Sequence, residues 1–266
     1  MSTDTLTRNG QAAKRNFVDD FESPDFYQID DLLMDEHKLI RSSIRDFVKK
    51  EITPYIEGWA EQNHFPYEIV KKFGEIGAFG PTVSEEYGGG GLDYTSYGLI
   101  MQEIERGDSG MRSTASVQGS LVMYPIYAYG SEEQKKKYLP KLASGEMLGC
   151  FGLTEPNHGS NPGGMETNIK DMGDHYLLNG AKMWISNAPK ADIAVVWAKN
   201  EQGRIKGVIV ERGMEGFTTP ETHGKWSLRA SCTGELVFSD VKVPKENMLP
   251  NKDGLGAPLG CLDKAR

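Results

Sequence analysis
Near Gly145 the spacing of apolar residues changes from the interval of a helix to the alternation of a strand, so the chain cannot be one repeating architecture. Ahead of this switch, Ile40, Ile44, Phe47, Val48 and Ile52 recur at helical spacing and predict one amphipathic helix from Asp35 to about Ala60. A second helix is expected behind Pro66, whose fixed φ suits a first turn. Asp93 can cap a third, in which Tyr97, Ile100, Met101 and Ile104 share a face. Ser131 and Gln134 form a capping-box pattern in front of a fourth.

Behind the switch, HYLLNGAKMWISN reads as two short strands joined at Asn179-Gly180, because a two-residue type I′ turn needs positive φ at both central positions. Runs beginning at Asp192, Ile205 and Glu235 read as further strands separated by polar or Gly-containing turns. The stretch from Gly254 to Ala265 reads as the opening of another helix. The expectation is an α+β chain: a leader over 1–30, a helical domain over 31–148, an antiparallel β domain over 149–258, and a new helical unit opening at 259–266.

The 266 residues are enough for two cores. A net charge of -8 argues against a sequence-independent grip on nucleic acid, which relies on clustered Lys and Arg. Cys150, Cys232 and Cys261 are odd in number and form no CxxC pair, which fits reduced thiols. No two of the five histidines stand at i and i+4, so a metal site is not expected. No apolar run reaches the roughly 18 residues of a spanning helix, so no membrane partner is expected. The leader mixes Arg8, Lys14 and Arg15 with Asp4, Asp19 and Asp20 and lacks a secretory apolar stretch, so a cytoplasmic location is expected.

The stretch FGLTEPNHGSNPGGMET, from Phe151 to Thr167, enters a loop dense in Gly, Pro, Asn and small hydroxyls, a composition that lets a ligand approach backbone closely. Together with KMWISN, Lys182 to Asn187, it resembles the flavin-binding segments of the acyl-CoA dehydrogenases. The resemblance implies FAD as cofactor, contacted by Phe151, Leu153, Thr154, Gly159, Ser160, Trp184, Ile185 and Ser186, with Ser160 also touching the CoA arm. Amides and hydroxyls can bond the ring carbonyls and N5 of a flavin, and an aromatic face shields the ring from water. On the residues alone, Trp184 could equally fill a core. Two positions depart from the family pattern: His158 stands where a small residue is usual, and Asn161 where Asp is usual. Asn161 could still cap a turn through its carbonyl.

Within that family, MQEIERGDSGMRSTASVQGSLVMYPIYAYGSEEQKKKYLP and GKWSLRAS resemble the glutaryl-CoA dehydrogenases. The resemblance implies an acyl pocket ended by Glu105, Arg112 and Ser113, with Arg112 forking two hydrogen bonds to the free carboxylate of glutaryl-CoA. On the residues alone, a surface ion pair of Arg112 with an acid such as Asp108 stays open. The segment LGCLDKAR resembles the stretch that crosses the CoA arm, which implies substrate contacts from Leu259, Asp263 and Arg266.

The resemblance also implies a β-barrel-like middle domain and a C-terminal four-helix domain of which 259–266 would be the truncated start. The catalytic glutamate would lie in that domain, so no catalytic residue is assigned here and the chain alone is expected to be inactive. The implied reaction is oxidative decarboxylation of glutaryl-CoA to crotonyl-CoA, with electrons passed to electron-transfer flavoprotein by a homotetramer, in the cytoplasm or alternatively the mitochondrial matrix. Two alternatives stand beside it: a noncatalytic module or half of a split enzyme that binds flavin or acyl-CoA, and a dehydrogenase for a monocarboxylic acyl-CoA. Gly88 to Gly91 lacks a phosphate-loop frame and reads as a turn before a helix, and Lys135 to Lys137 reads as a solvated helix face.

Overall fold
The computed structural model describes residues 24–265. Most of the leader and Arg266 lie outside the described residues. The helical half contains α1 (Asp35–Glu51), α2 (Ile56–Gln62), α3 (Glu68–Glu75), α4 (Tyr94–Gly107), α5 (Ser109–Ser116), α6 (Tyr124–Tyr129) and α7 (Glu132–Ala143). A π-helical segment, Val117–Met123, joins α5 to α6. The sheet contains β1 (Gly149–Gly152), β2 (Asn168–Asp171), β3 (His175–Ser186), β4 (Ile193–Lys199), β5 (Ile205–Glu211), β6 (Phe217–Thr218), β7 (Thr233–Pro244) and β8 (Met248–Asp253), and α8 (Gly256–Ala265) follows.

The expected single helix from Asp35 to Ala60 is two helices. Pro54 has no N–H to donate and disfavours helical backbone at Thr53, so α1 stops at Glu51. The stripe is otherwise as spaced, with Ile44, Val48 and Ile52 buried and Ile40 and Phe47 packed beside them. The local start signals hold. Asp93 Oδ1 accepts from Ser96 N at 2.8 Å. Ser131 N donates to Gln134 Oε1 at 2.9 Å while Gln134 N donates back to Ser131 Oγ at 3.3 Å, completing the capping box. Around Gly88 to Gly91 the chain makes a turn: Gly88 closes a short 3-10 helix at φ 81°, and a Cβ on Gly89 would stand 2.1 Å from Val83 O. Lys135 pairs with Glu132 and Lys137 with Glu211, as a helix face edged by acids would.

The strands run β6-β7-β3-β2-β4-β5-β8, with β1 added beside β4. Most pairings are antiparallel, but β1 lies parallel to β4. β4 explains how the two halves join. Ile193, Val195 and Trp197 face a core shared with the helices, and Ala194, Val196 and Ala198 face a second core enclosed by the sheet. Buried on both faces, the strand reads as an unbroken apolar run.

The expected hairpin at Asn179-Gly180 does not form, and β3 passes straight through it. The extra residue is in the partner strand, where β7 bulges at Asp240, which has φ 51°. Asn179 fastens that bulge: its Nδ2 donates to Asp240 Oδ1 and its Oδ1 accepts from Asp240 N, both at 2.9 Å. Gly180, at φ 136°, lets Thr167 cross β3 closely. The reversal comes earlier, in the β2–β3 turn around Gly173, where Met172 N donates to His175 O at 2.9 Å.

Candidate functional site
β1 delivers Phe151 and Gly152 into the loop that continues to Thr167. The side chains of Phe151 and Leu153 are buried in the shared core, with Phe151 set edge-on to Trp197 at 6.1 Å between ring centroids. Thr154 is half-buried, and its carbonyl accepts from Met183 N at 2.9 Å, which brings the loop against β3. Gly159 and Ser160 lie exposed at the loop surface, and a Cβ on Gly159 would meet nothing within 4 Å.

Trp184 decides what β3 presents to that loop. Between Lys182 and Ile185 the β3–β7 register slips by one residue, and Trp184 sits in the slip with φ 59°. A bulky residue rarely adopts this backbone conformation. The slip turns Ile185 into the second core and leaves Trp184 62% exposed. Trp184 is therefore not core filling, and Ile185 can offer only its backbone. Ser186 is half-buried opposite Thr233.

Glu155 and Lys182, which the motif reading passed over, hold these parts together. Lys182 Nζ is 2.8 Å from Glu155 Oε1 and donates to Leu153 O at 3.1 Å. Glu155 also accepts from Glu166 N at 2.6 Å and Thr167 N at 3.0 Å. Burial alone would raise the Glu155 carboxyl, but the Glu166 amide, Lys182 and Thr167 outweigh it and hold the group below its ordinary value. Burial pushes Lys182 down to about 8 despite Glu155. Nothing in the spacing of these two residues could have paired them.

His158 folds back inside the loop. Its Nε2 is 3.3 Å from Glu166 Oε1, and its Nδ1 would be 2.5 Å from a Cβ on Gly164. Asn161 does not cap through its side chain; its backbone carbonyl accepts from Gly164 N at 3.0 Å.

A second feature lies between α4, α5 and α8, an open cleft of about 770 Å³ lined by Tyr94, Tyr97, Glu105, Arg112, Asp263 and Lys264 among others. Three of the sequence-predicted substrate residues therefore share one cleft. Ser113 and Leu259 are not in its lining. The partner of Arg112 is Glu105, at 2.7 Å from Nε, and not Asp108, whose Oδ1 instead accepts from Met111 N at 2.9 Å as the cap of α5. Arg112 and Ser109 both donate to Glu105 and hold its carboxyl below the ordinary range. Arg112 Nη1 reaches Ser116 Oγ at 3.4 Å, and Nη2 has no partner among the described residues. Among those residues no cluster could hold a metal ion and no helix is long and apolar enough to cross a membrane.

Residues 34–146 match the acyl-CoA dehydrogenase N-terminal domain and residues 150–241 the acyl-CoA dehydrogenase middle domain. The chain belongs to the acyl-CoA dehydrogenase family. It is 43% identical to the glutaryl-CoA dehydrogenase of Desulfococcus multivorans, over 88% of this chain and 62% of that protein. It is 37% identical to the mitochondrial short-chain specific acyl-CoA dehydrogenase of Rattus norvegicus, over 88% of this chain and 58% of that protein. The crystal structure of a glutaryl-CoA dehydrogenase from Mycobacterium smegmatis in complex with FADH2 superposes with a TM-score of 0.88 at 48% identity, over 90% of this chain and 61% of that one. The chain thus spans about three fifths of the length of these relatives.

Proposed function
We propose that this chain supplies the flavin and acyl-CoA walls of an FAD-dependent glutaryl-CoA dehydrogenase that converts glutaryl-CoA to crotonyl-CoA and carbon dioxide. The observation that carries the substrate reading is Arg112, half-exposed in the cleft beside Glu105 and Asp263 with Nη2 free to meet a carboxylate. Similarity to glutaryl-CoA dehydrogenases supports it. Similarity to a short-chain specific relative favours a second reading, a monocarboxylic acyl-CoA, in which Arg112 and Glu105 merely neutralise each other.

The residues present fit a flavin. An indole held outward at positive φ provides an aromatic face, and the exposed Gly159-Ser160 stretch of the loop tied to the same strand provides backbone and hydroxyl groups. Phe151, Leu153, Thr154, Ile185 and Ser186 would add backbone and hydroxyl contacts, and Trp184 would exclude water from the ring. When bound, the flavin supplies the acceptor for the β-hydrogen of the thioester. Arg112 would orient the departing carboxylate, and Ser160, Leu259, Asp263 and Arg266 would contact the CoA arm. No carboxylate of this chain is assigned as the base for the α-proton. We place that role in the part of the relatives' length that this chain does not match, and we expect the 266-residue chain alone to give no sustained turnover. A homotetramer, transfer of electrons to electron-transfer flavoprotein and a cytoplasmic location complete the proposal by family resemblance.

The test is Arg112→Ala in the native-gene product. Losing hydrogen bonds to a charged group should lower kcat/KM for glutaryl-CoA roughly 10- to 100-fold while leaving butyryl-CoA within threefold. Unchanged glutaryl-CoA turnover would transfer the assignment to a monocarboxylic substrate.

A further inference from the structure
The buried Lys182–Glu155 pair has no part in the chemistry proposed above, yet it sits where the two flavin segments meet. The exposed fraction of the Lys182 side chain is 0% and that of Glu155 is 4%. One carboxylate accepts from Glu166 N and Thr167 N as well as from Lys182, so it ties the beginning of the loop to its end. One ammonium, bonded also to Leu153 O, ties both to β3 two residues before Trp184. Between these ties run His158, Gly159 and Ser160, in a segment whose Gly and Pro content would otherwise leave it many conformations.

A buried ion pair adds little stability over a well-packed neutral pair of the same volume, because desolvating two charges offsets their attraction. The depressed Lys182 points the same way: the folded protein holds this charge at a net cost. Holding the loop in register with Trp184 is what the pair provides that apolar side chains cannot, since only directional bonds fix Leu153, Glu166 and Thr167 at once.

We propose that Lys182 and Glu155 are positioning residues for the cofactor, fixing the 156–164 loop against β3 in the shape that receives the flavin. The proposal rests on the flavin reading and extends it to two residues that do not themselves touch the ring.

The experiment compares the native-gene product with its Glu155→Gln/Lys182→Met double variant, which leaves no buried charge unpaired. Three readouts are taken: denaturant unfolding, FAD dissociation by flavin fluorescence on the apoprotein, and amide hydrogen exchange across 156–164. The expected result is a folded variant at least as stable as the parent, with FAD bound ten times more weakly or worse and faster exchange confined to the loop and the end of β3 from Lys182 onward. An unchanged FAD affinity in a folded variant overturns the proposal, and so does a variant that fails to fold, since the pair would then serve stability. If the parent itself binds no FAD, the flavin reading fails separately, and the exchange readout alone decides whether the pair positions the loop: unchanged exchange overturns it. Lys182→Arg, which keeps a cation, should restore part of the affinity.

Discussion

Replacing Gly180 by Ala should destabilise the protein far more than the same change at Gly173, although both glycines have positive φ. At Gly180 the backbone has φ 136°, and a Cβ would stand 2.6 Å from both Cα and Oγ1 of Thr167. The first contact is with backbone and cannot be relieved by rotating a side chain. The disfavoured conformation costs about 1–3 kcal/mol and forced overpacking about 1–3 kcal/mol. The stiffer unfolded chain offsets about 0.4–1 kcal/mol. The net loss is about 3 kcal/mol, or roughly 6–12 °C in Tm for a chain of this size. At Gly173, φ is 95° with nothing within 4 Å of the added methyl, so the loss should be about 1 kcal/mol. Urea unfolding followed by far-ultraviolet circular dichroism, with m-values checked for equality, measures both. If Gly180→Ala loses no more than Gly173→Ala, Thr167 does not press on β3 and the continuous strand is wrong.

Trp184→Gly should leave stability unchanged or raise it by up to about 1 kcal/mol, because positive φ suits glycine and the mostly exposed ring contributes little burial. The same variant should weaken FAD binding roughly tenfold, as loss of an aromatic face would; equal affinity would remove Trp184 from the cofactor site. His158→Ala should change FAD affinity less than about threefold, since the ring packs on Gly164 and reaches Glu166 within the loop. A larger loss would mean that the imidazole reaches the cofactor. Lys182 titrates at about 8 when folded and near 10.4 when unfolded. Between these values the unfolded state binds the extra proton, so stability contributed by this group is lowest below pH 8 and rises with pH through the window. Relative to the Glu155→Gln/Lys182→Met variant, the parent should gain on the order of 3 kcal/mol from pH 7 to 10.5; a flat difference would mean that the Lys182 charge is held at no cost.

What could be read from the residues alone was what depends on a few neighbours. The Asp93 and Ser131 caps each reach only three residues ahead, and both form as spaced. The break at Pro54 was equally local but was hidden beneath a helical period that continues on either side of it. Asn179-Gly180 misled for the opposite reason: a strong turn signal was answered by residues far away in sequence, the Asp240 bulge and Thr167. Arg112 was placed in the acyl pocket by resemblance, but its ion pair is made with Glu105, across the junction between α4 and α5, rather than with the nearer Asp108.

Trp184 shows why the cofactor face could not be read from alternation. Leu178 and Lys182 point inward, so an unbroken period of two would send Trp184 inward as well, and it would be core. One inserted residue after Lys182 reverses the parity, burying Ile185 and releasing the indole. The bulge has a location because Met183 N is held by Thr154 O and Lys182 by Glu155, so the loop after β1 sets where β3 slips. The loop motif and the tryptophan motif are therefore one structural unit. A variant that loosens the loop should also lower the protection of the Met183 and Ile185 amides, linking the fold of β3 to the site that it serves.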